Sequence, residues 1–461
     1  MTILTNEFNQ LKLPEELLVS LTDLNYQQMT PVQAESLPAI LAGRDVIVQA
    51  RTGSGKTAAF ALGLLAKLNV QRFRIQGLVI CPTRELAEQV AEEIRKLCRT
   101  MHNVKVLTLC GGVPVKAQII SLEHGAHILV GTPGRLLDHL EQQRLDFSEL
   151  HTLVLDEADR MLEMGFQEPL AALIDATPAE RQTLLFSATY PAGIERMAAS
   201  LLRQPLRITV TDDSGQSATQ QRFFALDGVP RDEAAMRLLQ HYRPGSCLVF
   251  CNTKREAQEL ADSLKYNQFS VLALHGDLEQ KDRDQTLVQF SNQSACVLVA
   301  TDVAARGLDI NGLDLVINLQ PAHDTDTHIH RIGRTGRAGE AGLALTLVGP
   351  ADDYKFRLIE DRLDEKVALQ PLPGSELLQN RPLQAPMVTI QIQGGKKHKL
   401  RPGDIVGALT KEQQLEVTDI GKIQLQPMWS YVAITRDKAK QALSILNNGK
   451  IKGRSFRARA I

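Results

Sequence analysis

The sequence predicts an α/β protein with two tandem parallel-sheet domains, followed by a small C-terminal α+β domain. Three observations carry this. Short apolar runs alternate with helical stretches up to about residue 210. After a polar, glycine-bearing break at Thr211–Gln221 the same alternation resumes and runs to about residue 370. A basic piece then follows in which the candidate elements read β-α-β-β-α-β.

In the first domain, 1–210, the strand candidates are Asp45–Gln49, Gly77–Cys81, Val104–Leu109, Ile128–Val130 and Thr152–Asp156. They are short, mostly apolar, and separated by enough chain for a covering helix, as parallel strands buried on both faces require. Thr57–Leu68, rich in Ala and Leu, is the first helix candidate of this alternation. In the second domain, 219–370, the runs Cys247–Phe250, Ser270–Leu274, Val297–Ala300 and Leu315–Ile317 repeat the pattern. A proline-bearing break, Gln370–Pro386, leads to the third domain, 385–461. Its strand candidates are Val388–Gln393, Ile420–Leu425, Tyr431–Thr435 and Ser455–Ala460, and its helix candidates Pro402–Leu409 and Asp437–Asn447. Alternation puts Trp429 and Tyr431 on one strand face, where exposed aromatics can stack bases, although Val388–Gln391 adds no third aromatic.

The chain has 461 residues, 43% of them hydrophobic, an ordinary value for a globular protein. No run approaches the ~20 apolar residues of a membrane-spanning helix. The opening Met1–Gln10 lacks an apolar signal core, so a cytoplasmic protein is expected. Six cysteines without C-x-x-C spacing read as buried free thiols. The formal net charge of -1 conceals an asymmetry: residues 380–461 carry +10 and the remainder -11. A basic module joined to an acidic engine suggests a tether for a polyanion.

Chemistry enters with Ala50-Arg51-Thr52-Gly53-Ser54-Gly55-Lys56-Thr57, between the first strand and the first helix. It fits the phosphate-loop pattern G-x-x-x-x-G-K-[ST], with Ala50 in place of the leading glycine. Small residues let backbone N–H groups approach an anion, and the helix N-terminus adds partial positive charge. Lys56 is expected to reach the β- and γ-phosphates and Thr57 to ligate Mg2+. Asp156 ends a strand at the sheet edge where open α/β sheets bind ligands, suited to holding Mg2+; Glu157 is suited to orienting the attacking water. These residues point to ATP-type nucleotide hydrolysis.

Further motifs make the resemblance specific. Asp156-Glu157-Ala158-Asp159 is accompanied, in order, by Pro82-Thr83-Arg84-Glu85-Leu86-Ala87, Gly111-Gly112, Thr132-Pro133-Gly134-Arg135 and Ser187-Ala188-Thr189. Then follow Val249-Phe250-Cys251-Asn252-Thr253, Ala300-Thr301-Asp302, Arg306-Gly307-Leu308-Asp309 and His330-Arg331-Ile332-Gly333-Arg334-Thr335-Gly336-Arg337. Over residues 1 to about 365 the chain resembles the DEAD-box RNA helicases. The resemblance implies two RecA-like domains and ATP with Mg2+ as cofactors. It implies that Gln33 reads adenine, Phe8 stacks on the base, and Asp309 contacts the ribose. Asn25 stands where the family usually has glycine, and tolerates the left-handed turn. Arg334 and Arg337 resemble arginine fingers, which would make hydrolysis depend on domain closure. Ser187 and Thr189 resemble the element coupling ATP to RNA. Arg84, Gly112, Thr132, Arg135 and Thr301 match positions that hold the RNA backbone, with RNA preferred over DNA through its 2′-hydroxyls. His275 reads as structural or RNA-proximal rather than catalytic, and His124 and His127 as a loop pair rather than metal ligands.

The tail is similar to that of a bacterial DEAD-box protein of large-ribosomal-subunit assembly, in Gly394-Gly395-Lys396-Lys397, Arg401-Pro402-Gly403-Asp404, Asp419-Ile420-Gly421-Lys422-Ile423 and Gly449-Lys450-Ile451-Lys452-Gly453. The similarity implies an RRM-like domain that docks on large-subunit rRNA in pre-ribosomal particles while the core opens a nearby short duplex. Lys396, Lys397, Lys399, Arg401, Lys450, Lys452 and Arg454 suggest recognition by charge and shape. Nothing demands a dimer, so a monomer is expected. The alternatives are a DNA helicase of a related superfamily, an ATP-gated RNA clamp and a general RNA chaperone without a specific rRNA target.

Overall fold

Apolar residues at every position of a short run bury both faces of a strand, and that is what the first sheet shows. The computed structural model describes residues 7–50, 53–210, 219–305, 312–336, 342–363, 366–411 and 415–461. Its first sheet contains β1 (Val46–Gln49), β2 (Gly77–Ile80), β3 (Val106–Leu109), β4 (Ile128–Gly131), β5 (Thr152–Leu155), β6 (Gln182–Ser187) and β7 (Leu206–Thr209). They lie in the order β3-β4-β2-β5-β6-β1-β7, all parallel. Val46, Val48, Val154 and Phe186 face one core layer, while Ile47, Leu153, Leu155 and Leu185 face the other. Phe60 of the Lys56–Ala66 helix packs on Phe186 with ring centroids 5.2 Å apart.

The second sheet contains β8 (Gln220–Ala225), β9 (Cys247–Cys251), β10 (Val271–Leu274), β11 (Val297–Thr301), β12 (Leu315–Asn318) and β13 (Leu343–Val348). The order is β10-β11-β9-β12-β13-β8, again all parallel. Four strands were not among the expected runs: β6, β7, β8 and β13. Polar residues open β6 and β8, and β7 is an edge strand with only Ile208 buried, so these three do not read as continuous apolar runs, whereas β13 is apolar but for Thr346. The break expected to end at Gln221 ends earlier, because Gln220 already pairs with Leu343. Residues 211–218 lie outside the described residues.

The third sheet is antiparallel: β14 (Met387–Ile392), β15 (Ile420–Leu425), β16 (Ser430–Thr435) and β17 (Ala458–Ala460), in the order β15-β16-β14-β17. Helices Pro402–Thr410 and Ala439–Asn448 cover one face, packing Ile405, Leu409, Ala442 and Leu446 on Ile390, Ile392, Val432 and Ile434. The chain divides into two compact units, one holding the first sheet, the other the second and third sheets together.

Within that second unit the other face of the third sheet is covered too. Thr389 Oγ1 accepts from Asn292 Nδ2 at 3.1 Å and lies 2.6 Å from Ser294 Oγ. Tyr431 is only 1% exposed, and its hydroxyl accepts from Gln391 Nε2. The expectation of an exposed Trp429–Tyr431 stacking face is therefore wrong. Trp429 precedes β16 and its indole N–H donates to Gln426 Oε1. The proline-bearing segment is no free linker either. Gln370 exchanges backbone bonds with Phe223 and Ala225, Leu383 accepts from Ser270 N–H at 3.0 Å, and Leu383 and Ala385 join the second sheet's core.

Candidate active site and nucleic-acid interface

The loop after β1 closes on itself. Gly53 and Gly55 adopt φ of 82° and 92°, a region that favours glycine. Lys56 is buried, and its ammonium donates to the Ala50 carbonyl at 2.7 Å, inside the turn where a phosphate oxygen would sit. Ala50 in turn donates its N–H to Ser187 O at 3.0 Å, joining the loop to the end of β6. Arg51 and Thr52 lie outside the described residues.

Thr30 caps the Pro31–Leu41 helix in a reciprocal box with Gln33. Thr30 Oγ1 also donates to Ser54 O at 2.7 Å, and Gln33 Nε2 donates to Gly55 O at 3.1 Å. Both ends of the Gln33 amide are thus engaged, Oε1 by Thr30 N–H and Nε2 by the loop. Reading adenine would require exchanging at least one of those bonds. Beside this helix an open cleft of about 600 Å³ is lined by Phe8, Leu18, Asn25, Tyr26 and Gln28 among others. Phe8 is 4% exposed and meets Tyr26 edge-on at 6.2 Å. Asn25 has φ 61°, so the residue in place of glycine does take the left-handed turn.

At the end of β5, Asp156 is buried and accepts the Glu157 N–H on Oδ1 at 3.1 Å. Burial pushes its pKa up to about 7; the Lys56 charge opposes this and Glu157 adds to it. Glu157 sits at φ 52°, ψ 51°, a costly backbone for a side chain with a Cβ. Asp159, whose role was not read from the sequence, joins this motif to the next. Its Oδ2 accepts from Ala188 N at 3.2 Å, Thr189 N at 2.8 Å and Thr189 Oγ1 at 2.9 Å. Ser187 Oγ donates to Thr189 O at 2.7 Å. Among the described residues no group of three or more His, Cys, Asp or Glu side chains forms a metal cage. Thr57 and Asp156 are hard oxygen donors, the type suited to a Mg2+ that keeps several waters.

The positions expected to hold RNA follow the C-terminal ends of their strands: Arg84 after β2, Gly112 after β3, Thr132 after β4, and Thr301 ending β11 in the second unit. Two buried residues missed in the sequence tie part of this edge together. Gln118 Oε1 accepts from Arg135 Nη1 and His139 Nε2, both at 2.9 Å, while its Nε2 donates to Cys110 O at 2.9 Å. Arg135 also donates to Val113 O. His127 is a core residue rather than half of a loop pair, since its Nδ1 accepts from Lys105 N–H and Nε2 meets Val70 O. His275 is buried against Gln258 Oε1 at 2.9 Å, as a structural histidine should be.

In the second unit the arginines of one motif diverge. Arg331, 1% exposed, forks onto both oxygens of Asp302 at 2.7 Å, donates to Asn252 Oδ1 and Gln320 O, and lies over the Phe250 ring. Arg334 follows, half-buried, after the Thr325–Ile332 helix, its carbonyl accepting from Leu313 N–H. Arg337 and Asp309 lie outside the described residues. In the tail, the loops bearing Lys396–Lys399 and Lys450–Lys452 meet, with Lys452 Nζ donating to Lys399 O at 3.0 Å and lying 3.7 Å from Asp404. Arg401 caps the following helix through its N–H to Asp404.

A closed phosphate loop, a buried strand-end carboxylate and a threefold-bonded aspartate joining it to the next strand define a nucleotide-driven P-loop enzyme with two parallel-sheet cores. The comparisons narrow this. Family models match as DEAD/DEAH box helicase over residues 30–197, helicase conserved C-terminal domain over 230–339, and DbpA RNA binding domain over 389–460. The chain is 51% identical to the ATP-dependent RNA helicase DbpA of Escherichia coli, covering 97% of this chain and 98% of that one. It is 42% identical to the DEAD-box helicase RhpA of Helicobacter pylori over 79% of this chain and 74% of that one. Among solved structures, S. cerevisiae Dbp5 bound to RNA and ADP BeF3 matches with a TM-score of 0.72 at 27% identity, covering 81% of this chain and 99% of that one. The chain belongs to the DEAD-box family of ATP-dependent RNA helicases, and carries the DbpA type of RNA-binding domain.

Proposed function

We propose that this helicase docks through its C-terminal domain on structured large-subunit rRNA and opens short duplexes nearby during large-subunit assembly. The observation that carries this reading is in the tail. Its sheet is covered on both faces, which leaves the convergent lysine loops at 396–399 and 450–452 as its polyanion-facing element. Such a surface suits folded RNA, read by backbone charge and shape rather than by stacking single bases. The likeness to DbpA over nearly the whole chain supports the same substrate class. Pre-ribosomal particles are then the expected partners, met as a monomer in the cytoplasm.

In the catalytic cycle we assign Lys56 to the β- and γ-phosphates, Glu157 to the attacking water, and Arg334 and Arg337 to charge developing on the transferred phosphoryl group. Phe8, Gln33 and Asp309 would hold the nucleoside; Ala50, Arg51, Thr52, Gly53, Ser54 and Gly55 the phosphates. Thr57 and Asp156 would hold Mg2+, which neutralises phosphate charge when bound. Ser187 and Thr189 couple this site to RNA held by Arg84, Gly112, Thr132, Arg135 and Thr301. Lys396, Lys397, Arg401, Lys450 and Lys452 supply the docking charge.

The test is ATPase activity of the full chain with large-subunit rRNA fragments, unrelated RNA and DNA as activators. Stimulation concentrated in one large-subunit fragment, and lost when Lys396, Lys397, Lys450 and Lys452 are all changed to Ala, is the expected result. Equal stimulation by every RNA, unaffected by those changes, would overturn the targeted reading.

A further inference from the structure

At the opposite edge of the first sheet from the phosphate loop lies an open cleft of about 620 Å³, with no part in the mechanism above. Its wall residues precede four strands: Arg44 and Asp45 before β1, His151 before β5, Arg181 before β6, and Arg203 and Gln204 three and two residues before β7. Lys67, ending the phosphate-loop helix, completes it. The four residues of β1 separate it from Ala50 by about 13 Å, at ~3.3 Å per residue.

The walls carry four cationic side chains, Arg44, Lys67, Arg181 and Arg203, against two carboxylates, Asp45 and Glu180. Asp45 offsets part of that charge, opposing the larger lowering of the Lys67 and Arg181 pKa values by burial. Asp45 is occupied by backbone, accepting from Thr183 N at 2.8 Å and Arg203 N at 2.7 Å. Glu180 pairs with Arg203 at 2.9 Å, but its side chain is 89% exposed, where pairing is screened. Two buried polar atoms here have no hydrogen-bond partner: His151 Nε2 and Arg181 Nε. Buried polar groups are rarely left unsatisfied, because an unpaired one keeps its full desolvation penalty. The opposite nitrogen of His151 faces Thr152 Oγ1 at 3.0 Å, and Arg181 Nη1 donates to Pro178 O. Burial, and then Lys67, hold the His151 pKa down; burial also lowers those of Lys67 and Arg181, with Asp45 opposing in both.

We propose that this cleft binds a small phosphate-bearing anion, held by the His151 Nε2–H, the Arg181 Nε–H and the Lys67 ammonium. An oxyanion satisfies both orphaned nitrogens and relieves the crowding of like charges with charge-assisted bonds. Lys67 Nζ keeps donors beyond the one it gives to Gln182 Oε1. The Gln182 amide, which donates to Ile40 O and Arg44 O, holds the floor in place.

The experiment is histidine side-chain NMR on the full chain saturated with a non-hydrolysable ATP analogue and Mg2+, which keeps added phosphate out of the phosphate loop. His151 is assigned from the signal lost in His151→Asn. Inorganic phosphate is titrated against chloride at matched ionic strength, with a nucleoside monophosphate in a third arm. A saturable His151 shift, with the ring titrating at higher pH in phosphate than in chloride, is the expected result. Binding should weaken at least tenfold in Arg181→Gln and in Lys67→Gln, each folded by its amide spectrum. Tighter binding of the monophosphate identifies an ester as the ligand, and tighter binding of free phosphate identifies the inorganic ion. Equal shifts in chloride and phosphate, or a saturable shift untouched by both substitutions, would overturn the site.

Discussion

The carboxylate of Asp159 accepts both the backbone N–H and the hydroxyl of Thr189, at 2.8 and 2.9 Å. One oxygen thereby links the acidic motif after β5 to the segment that follows β6, whose last residue, Ser187, accepts the Ala50 N–H of the phosphate loop. Thr189→Ala removes one donor from a buried carboxylate, at a cost of about 1–3 kcal/mol. Duplex unwinding should fall more than ATP hydrolysis, as parallel assays of the two will show. Equal losses would make the contact merely structural.

Lys56 sits on the Ala50 carbonyl and must leave it to reach a phosphate. Lys56→Ala should lower RNA-stimulated hydrolysis by about a hundredfold or more, since a positioned cation is worth several kcal/mol at such a centre. Glu157→Gln should retain ATP and RNA while stopping turnover, measured by equilibrium binding alongside single-turnover hydrolysis.

The Asp156 pKa, raised to about 7 from the model-compound 3.8, has a defined pH signature. The folded protein holds this proton more tightly than the unfolded chain. The group's contribution to stability is therefore present at low pH and lost as pH climbs from about 4 to about 7. Mg2+ needs the ionised carboxylate, so Mg2+-dependent nucleotide affinity should strengthen as pH rises through about 7 and then level off. Calorimetric titration across that window, with Asp156→Asn as the reference that removes the carboxylate's own contribution, measures it.

Gln118 holds Arg135 and the carbonyl of Cys110 on one side chain. Gln118→Leu leaves both without that partner. The RNA concentration for half-maximal ATPase should rise about tenfold, equivalent to about 1.4 kcal/mol, with KM for ATP unchanged. Kinetics with each ligand varied separately will distinguish this from a general loss of folding.

Leu383 is 7% exposed in the second sheet's core. Leu383→Ala should cost about 2–5 kcal/mol, read by chemical denaturation. A tail deletion that ends near Gln379 should destabilise the second unit for the same reason, whereas one ending after Pro386 should spare it.

Much of the site was legible because its residues act in short contiguous runs. A phosphate loop needs small residues and a lysine at fixed spacing, so Ala50–Thr57 announces itself. Asp156 and Glu157 do the same at a strand end. Gln118 and His139 gave no such signal: a glutamine and a histidine on two helices are ordinary until the fold brings Gln118 to both Arg135 and His139. Arg331 and Arg334 stand three residues apart in one motif, yet only packing separates the buried partner of Asp302 from the arginine beyond the helix end.

Periodicity and motif spacing, both local properties of the chain, by themselves determined the two parallel sheets, the β-α-β-β-α-β tail and the phosphate loop, and the ordered motifs carried the resemblance to the family. Only tertiary structure decided which surfaces remain for binding. Alternation correctly separates the two faces of β16, but cannot say what lies against either. Tyr431 is buried because Thr389, on the same face, bonds to Asn292 and Ser294 of the second parallel-sheet core, nearly a hundred residues away. The cleft before β1, β5, β6 and β7 is likewise assembled from short segments scattered over some 160 residues. Burial and charge crowding depend on neighbours distant in sequence, and those neighbours exist only once the chain has folded.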